Sequence, residues 1–131
     1  LYGMLQLRQA VFVVEQDCPY LDAAGEDYRA WHLLGRQEGE LVAYLRAFAP
    51  GLQRAEAVIG RVITSERLRG QGWGRPLMQQ GMDRCAETFG RSPIFVSAQA
   101  HLEPYYASLG FVTSGSGYDE DGIPHLPMIC P

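Results

Sequence analysis

Apolar residues at the start of the chain recur with the period of a helix. One face of such a helix collects Leu1, Met4, Leu5, Arg8, Val11 and Phe12, which follow i, i+3, i+4, i+7 spacing. The pattern predicts a helix over residues 1–15. A turn-rich stretch follows over residues 16–29, with Pro19, Gly25 and the acids Asp17, Asp22, Glu26 and Asp27. We expect a loop or a short irregular helix there.

Three segments then have the composition of β-strands. They cover residues 31–36, 41–48 and 57–64, and a hairpin-like turn separates the first two. The third segment carries Gly60 among β-branched residues. A glycine inside a strand indicates a bulge or the close approach of another backbone, so we expect one of the two at this position.

The hydrophobic period changes in the second half of the chain. Residues 74–89 are predicted to form a helix whose buried face collects Leu77, Met78, Met82, Cys85, Ala86 and Phe89. Pro76 suits its first turn, and Gly90 suits the position just past its end. Residues 93–97 follow as a buried strand of the kind expected inside a parallel pair.

Another helix and two strands complete the predicted order. The helix covers residues 101–109 and ends at Gly110, a strand covers residues 111–113, and a turn over residues 119–124 precedes a last strand near Met128. Strands that first form a meander and then alternate with helices are typical of a mixed α/β sheet. Since 131 residues is the size of one domain, we expect residues 1–131 to form a single α/β domain.

Composition and charge narrow the class of protein. An apolar fraction of 47% supports a packed core and excludes a disordered or fibrous chain. The net charge of −4 argues against a protein that binds nucleic acid, because such proteins usually carry a basic surface. No apolar run approaches the roughly 18 residues of a membrane span, so we expect no membrane partner.

The three cysteines are odd in number and far apart. Cys18, Cys85 and Cys130 form no CxxC pair, so the sequence predicts neither a metal site nor a disulfide framework. Unpaired cysteines without a signal peptide favour a reducing compartment, and we expect a cytoplasmic protein. The chain starts at Leu1 rather than at Met, which indicates that further sequence precedes it.

The clearest chemical motif is the glycine-rich segment of residues 69–74, RGQGWG, between the third strand and the next helix. Glycines let a backbone approach a ligand closely, and free N–H groups at a helix start attract anions. Such a turn suits a pyrophosphate, to which Arg69 would add a charged contact. A glycine-rich turn without a ligand is the alternative. A Walker loop would need Lys and Ser or Thr here, and a dinucleotide fingerprint would need another glycine spacing.

Two motifs together resemble the GCN5-related N-acetyltransferases (GNAT). Arg69-x-x-Gly72-x-Gly74 is similar to the acetyl-CoA signature of that family. Residues 105–111, YYASLGF, are similar to its later motif, an aromatic-Tyr pair four residues before Gly-Phe. The ElaA-like branch of the family is indicated by further similar segments at residues 11–16, 18–20, 98–102 and 120–125. The first strand of the family has no counterpart here, in keeping with a chain that starts late.

The resemblance implies a mixed, mostly antiparallel central sheet with one splayed parallel strand pair, flanked by helices. It also implies acetyl-CoA as the cosubstrate, bound where those two strands separate. Backbone groups of Val62, Ile63 and Thr64 would pair with the pantetheine like an added strand. The pyrophosphate side of the cofactor site is assigned to Arg69, Gly70, Gln71, Gly72, Trp73, Gly74 and Arg75. The Trp73 ring is expected to pack under the helix rather than to cover the cofactor.

The resemblance further implies direct attack of an amine on the thioester, without a covalent enzyme intermediate. Tyr106 matches the position that protonates the departing thiolate in many members, and a phenol stays protonated at neutral pH. The base that deprotonates the amine stays open. A chain of water molecules would serve, and so would the side chains of His101, His125, His32, Glu15 or Glu66.

The expected acceptor is a small-molecule amine or a protein amine, and a homodimer is compatible with the resemblance. By family topology, the acids of residues 17–27 and of the 119–121 turn would flank the acceptor side. They would either attract an ammonium substrate or form an ordinary solvated surface. A non-catalytic CoA-binding sensor or protein-interaction module on the same fold is the alternative function.

Overall fold

The computed structural model describes residues 1–16 and 25–131, and of Arg67 the backbone alone. The acids at Asp17 and Asp22, and Cys18, lie outside the described residues. The N-terminal segment forms helix α1 (Tyr2–Arg8), which continues as a π-helix over Gln9–Glu15. The wider turn is visible where the Gln16 N–H donates to the Val11 carbonyl five residues earlier, at 3.1 Å. The helical extent predicted from the sequence is confirmed, with a change of geometry after Arg8.

Seven strands form one mixed sheet. They are β1 (Trp31–Gln37), β2 (Glu40–Phe48), β3 (Ala57–Thr64), β4 (Ile94–Gln99), β5 (Val112–Thr113), β6 (Tyr118–Glu120) and β7 (Ile123–Cys130). The strand order is β1-β2-β3-β4-β7-β5, with β6 also paired to β7. Only β3 and β4 run parallel among these pairs. The predicted mixed α/β class is confirmed, including the mostly antiparallel sheet with one parallel pair.

The parallel pair separates along its length. Ala57–Ile59 pairs with Ile94–Val96, and the pairing then stops, although β3 runs to Thr64 and β4 to Gln99. Among the described residues, no strand therefore lies beside the inner edge of β3 beyond Ile59, because β2 occupies only its outer edge. This separation is the splayed strand pair that the resemblance implies.

A β-bulge shapes β3 at the same place. Arg46 of β2 pairs with Gly60 and Tyr44 pairs with Ile63, so β3 contains one residue more than its partner over this stretch. The extra residue is accommodated by Arg61, whose φ of +51° lies in the left-handed region. Of the two alternatives that Gly60 indicated, the structure shows the bulge, and its unusual backbone conformation falls on the residue after the glycine.

Helices cover both faces of the sheet. Helix α2 (Gly74–Phe89) packs its buried residues, among them Leu77 and Met78, against β2 and β3. The contact is close at Gly81, where an added Cβ would stand 2.6 Å from Leu45 Cδ2. The opposite face is covered by the N-terminal helix, whose Met4 and Val11 pack on Tyr44 and Ile63.

The C-terminal region differs from its prediction in two details. The helix expected over residues 101–109 begins as a 3-10 turn (Ala100–Leu102) and continues as α3 (Glu103–Ser108). The turn expected over residues 119–124 contains β6 and the start of β7, joined at Asp121 and Gly122. Three residues of β6 are too few for a readable period in the sequence. Among the described residues, no helix is long and apolar enough to cross a membrane.

Candidate active site

A cavity of about 810 Å³ lies where β3 and β4 separate. Five of the residues predicted for the site line it, namely Val62, Ile63, Thr64, Arg69 and Tyr106. The cavity extends from the end of β3, near Arg69, to the β6–β7 hairpin at Glu120 and His125. The sheet therefore creates an elongated space whose two ends are lined by different chemistry.

The glycine-rich turn follows Arg69 along the chain, and its residues 70–75 are not among those that line the cavity. Gly70 and Gly72 have φ values of +81° and +80°, conformations that favour glycine. The Gln71 N–H donates to the Leu68 carbonyl at 3.1 Å, which tightens the turn before α2 starts at Gly74. The first N–H groups of a helix have no partner inside it, so this end of α2 offers donors and a positive dipole end to an anion.

Two predicted cofactor residues point elsewhere in the structure. Trp73 packs against the core under α2, where a Cβ at Gly35 would stand 3.5 Å from its ring. Arg75 lies against α3, with Nη2 donating to Ser108 Oγ at 2.7 Å and the guanidinium carbon 5.8 Å from the Tyr105 ring centroid. Neither side chain lines the described cavity, so any role of these two residues at a cofactor comes from the backbone.

Arg69 is held by a carboxylate from the end of the N-terminal helix. Both of its terminal nitrogens donate to Glu15, Nη1 to Oε1 and Nη2 to Oε2 at 2.8 Å. Nη2 also donates to the Thr64 carbonyl at 3.3 Å. The hydrogen bond from Arg69 lowers the pKa of the Glu15 carboxyl, and the same bond raises the pKa of Arg69. Glu15 is thereby a counter-ion of Arg69, and one of the proposed bases is already engaged.

Tyr106 is buried at the cavity wall, with 8% of its surface exposed. Its ring meets those of Tyr105 and Phe111 edge-on, with centroids 5.2 and 5.8 Å away. Burial, with a smaller contribution from the neighbouring Tyr105, raises the pKa of the Tyr106 hydroxyl to about 12. Within the described part of the chain, no side chain is hydrogen-bonded to this hydroxyl, which therefore keeps its proton and has it available for a ligand.

The other proposed bases are widely distributed. Both ring nitrogens of His32, in β1, already have partners: Nδ1 lies 2.5 Å from the Tyr44 hydroxyl and Nε2 lies 3.1 Å from the Asp27 carbonyl. Glu66 lies exposed on a 3-10 turn next to the glycine-rich segment. Only His101 and His125 among the five candidates, judged on the described lining, border the cavity.

A polar cluster at the far end of the cavity brings together β4, β6 and β7. His125 Nε2 lies 3.3 Å from Glu120 Oε2, which also accepts a 2.9 Å hydrogen bond from Ser97 Oγ. The Tyr118 hydroxyl lies 2.5 Å from the same Ser97 oxygen. Sequence reasoning missed Ser97 and Tyr118. Their polar side chains next to buried strand residues were visible in the sequence. No local sequence pattern indicated that β6 pairs with β7, next to β4.

Two acids of the loop before β1 are neutralised by arginines. Asp27 Oδ1 accepts from Arg8 Nη1 at 2.8 Å and from Arg46 Nη1 at 3.2 Å, and Glu26 lies 4.0 Å from Arg46. Burial raises the pKa of Asp27, but the hydrogen bonds and charges of Arg8 and Arg46 outweigh it and leave the pKa lowered. These acids do not act as a free negative rim. Among the described acids that line the cavity, Glu120 is the one without an arginine partner.

Comparison with known proteins places this site in a family. Residues 12–131 match the family model described as "Acetyltransferase (GNAT) domain". The protein ElaA of Escherichia coli (strain K12) is 47% identical over 130 residues, which are 98% of this chain and 85% of that protein.

Two solved structures share the architecture closely. A crystal structure of an acyl-CoA N-acyltransferase from Pseudomonas aeruginosa has a TM-score of 0.96 and 43% identity, and the match covers 99% of this chain and 89% of that one. The crystal structure of Escherichia coli ElaA has a TM-score of 0.92 and 45% identity, over 99% and 88% of the two chains.

The fold, the separated strand pair and these matches agree. The chain belongs to the GNAT acetyltransferase family. It is an N-acetyltransferase of that family and resembles the ElaA proteins, as the sequence motifs predicted.

Proposed function

We propose that this protein transfers an acetyl group from acetyl-CoA to a primary amine by direct attack of the amine on the thioester. One observation carries the proposal. The open inner edge of β3 and Arg69 line one cavity, and the glycine-rich turn at the start of α2 follows Arg69 along the chain. The strand edge offers backbone groups to the amides of a pantetheine arm, and the turn offers N–H groups to a diphosphate.

The bulge supplies the next component of the site. Bulged residues leave the regular ladder, and neither Arg61 nor Val62 has a register partner on β2. A backbone N–H directed at the thioester carbonyl would stabilise the negative charge that develops on its oxygen during attack. We assign this electrophilic role to the β3 backbone between Gly60 and Ile63.

Tyr106 supplies a proton to the leaving sulfur. Its pKa of about 12 keeps the phenol protonated at every pH at which the enzyme would work. An ordinary thiol has a pKa of about 8.5. Burial raises the pKa of the leaving thiol in the same way as it raises the pKa of the Tyr106 phenol. Both pKa values therefore lie above those in water. A hydrogen bond from the Tyr106 hydroxyl therefore stabilises the sulfur while the carbon–sulfur bond breaks.

The test is thiol release from acetyl-CoA across a panel of amines. The panel contains spermidine, an aminoglycoside, a lysine-containing peptide and a neutral alcohol as negative control, and product is confirmed by mass spectrometry. Because the 131 residues contain no lysine, acetyl-lysine found with the peptide arises from the acceptor rather than from this chain. Amine-dependent thiol release supports the proposal. Tight CoA binding without release on any amine would instead favour a sensor.

Glu15→Gln should tighten CoA binding. The carboxylate holds both terminal nitrogens of Arg69, so an incoming diphosphate has to compete with it for the guanidinium. An exposed ion pair is worth about 0.2–1 kcal/mol, and its removal should lower the CoA dissociation constant about twofold to fivefold. Isothermal titration calorimetry at low salt measures the change.

Glu66→Gln is the matched control for that prediction. The negative charge of Glu66 also acts on Arg69, but Glu66 accepts none of the described hydrogen bonds of Arg69. Glu66→Gln therefore removes the same charge from the same neighbourhood and leaves those hydrogen bonds in place. We expect a smaller gain in affinity than for Glu15→Gln. Equal gains in the two variants would mean that removal of the charge, and not of the hydrogen bonds to Arg69, raises the affinity. Weaker binding by Glu15→Gln would mean that Glu15 orients Arg69 instead of competing for it.

A further inference from the structure

The acceptor end of the cavity contains a histidine with a defined tautomer. His125 Nδ1 lies 2.7 Å from the Ile123 carbonyl oxygen, and a carbonyl oxygen only accepts, so Nδ1 is the protonated nitrogen. In the neutral ring, the lone pair is then on Nε2. Nε2 points to Glu120 at 3.3 Å. The His125 side chain is 11% exposed and the Glu120 side chain 48%, so Glu120 is the member of the pair that a ligand reaches first.

Neighbouring elements fix this pair in place. From β4, Ser97 donates to Glu120, and Gln99 stands beside His125 in the strand register. From β6, the Tyr118 ring stacks on His125 with centroids 6.3 Å apart and planes 18° apart. Asp119 and Asp121 flank Glu120 on the hairpin. Among the described residues, the ion pair of Glu120 is with His125 and not with an arginine.

Strand register places the pair close to the reacting centre. Val96 is the last residue of β4 that pairs with β3, opposite Ile59. Ser97 is the next residue along β4, and so it stands across the gap from the start of the bulge at Gly60. Since Ser97 is hydrogen-bonded to Glu120, one side chain separates the bulge from the Glu120–His125 pair.

On the basis of the proposed function, we infer that Glu120 binds the ammonium group of the acceptor and that His125 Nε2 accepts its proton. Without an amine, Nε2 of His125 lies 3.3 Å from Glu120 Oε2. An ammonium group hydrogen-bonded to Glu120 replaces that contact and repels an imidazolium, which favours the neutral ring. The Nε2 lone pair of the neutral ring then accepts the proton of the amine.

The protons balance over one turnover. The acceptor loses its first proton from R–NH₃⁺ to His125, which gives the free amine that forms the carbon–nitrogen bond. The nitrogen loses its second proton as the carbon–sulfur bond breaks. The sulfur receives a proton from Tyr106, and the second nitrogen proton restores Tyr106 through water. His125 releases its proton to solvent, so the net products are the amide, CoA–SH and one H⁺.

A matched pair of acceptors tests the inference. Phenethylamine is an ammonium ion at neutral pH and needs deprotonation, whereas aniline is already a free base. His125→Gln should lower kcat/KM at least about tenfold with phenethylamine and less than about threefold with aniline. The acidic limb of its pH profile with phenethylamine should also disappear. Glu120→Gln should raise the KM for phenethylamine and leave that for aniline unchanged.

His101→Gln is the control, because His101 borders the same cavity outside the cluster. It should retain the acidic limb and the ratio between the two amines. CoA affinity and the thermal midpoint of each variant report whether the fold is intact. Equal losses with both amines in His125→Gln would overturn the inference and leave acetyl transfer itself untouched.

A second readout does not need turnover. The pH titration of the His125 ring, followed by NMR, should move to lower pH when phenethylamine saturates the wild type with CoA bound, and should not move in Glu120→Gln. This shift supports the amine subsite even if no amine in the panel is acetylated, in which case only the proposed function fails. A His125 titration that phenethylamine leaves unchanged would contradict the inference.

Discussion

Tyr106→Phe should lower kcat about a hundredfold or more while leaving the dissociation constant of CoA unchanged. Loss of a positioned acid or base usually costs about 10²–10⁴ in rate. The variant deletes one oxygen that is hydrogen-bonded to no described side chain, so the aromatic contacts with Tyr105 and Phe111 stay in place. Steady-state thiol release and calorimetry of CoA separate the two effects.

Tyr105→Phe is the matched control for this experiment. Tyr105 is the adjacent residue and loses the same atom, and we expect its kcat to change less than about threefold. The wild type should also keep its activity at alkaline pH. The acid acts in its protonated form and its pKa is about 12, so no loss from Tyr106 ionisation should appear below about pH 11. An alkaline limb near pH 10 that Tyr106→Phe abolishes would contradict the raised pKa, and a Tyr106→Phe variant with unchanged kcat would contradict the role of the acid.

Asp27→Asn should destabilise the fold by about 2–3 kcal/mol at pH 7. Arg8 is fully buried, and Asp27 is its ion-pair partner as well as that of Arg46. Removal of one partner from a buried pair costs about 3–5 kcal/mol, and the partial exposure of Asp27 reduces that figure. Urea unfolding of the two proteins measures the difference. Loss of this residue leaves two arginine charges without the carboxylate that they share.

The pH dependence of that difference has a definite sign. The folded-state pKa of Asp27 is lowered, so its contribution to stability is complete above the unfolded-state pKa and is lost as pH falls through the folded-state pKa. The stabilities of wild type and Asp27→Asn should therefore converge in the acidic range. Glu26→Gln, which removes a more exposed carboxylate 4.0 Å from Arg46, should cost less than about 0.5 kcal/mol. A pH-independent gap would show that the amide perturbs packing instead.

Much of the candidate site could be predicted from local sequence patterns. The glycines of residues 70–74 and the Tyr106 motif each occupy a few consecutive residues, and a short segment carries its own conformational requirements. Gly60 indicated the bulge as one of two alternatives, because a glycine inside a strand also carries a local conformational requirement. The direction of Trp73 agrees with the prediction that its ring packs under the helix, whereas that of Arg75, which lies against α3, was not predictable from the motif.

The acids of the loop before β1 show that a count of charged residues does not predict whether those residues are paired. Glu26 and Asp27 read as part of a negative surface, whereas the structure pairs them with Arg8 and Arg46. Arg8 stood on the apolar face of the predicted helix, and its burial is possible because Asp27, 19 residues later, meets it there. Periodicity locates a residue on a face but does not identify its partner.

The sequence by itself determined the order of helices and strands except for β6, the mixed α/β class and the family, because these depend on periodicity and on short motifs. Only the tertiary structure decided which distant side chains meet. Arg69 and Glu15 are 54 residues apart, and Ser97 and Glu120 are 23 apart, yet both pairs are hydrogen-bonded at the cavity. Sheet pairing between β3, β4, β6 and β7 creates these contacts, and such long-range pairing leaves no periodic trace in any one segment.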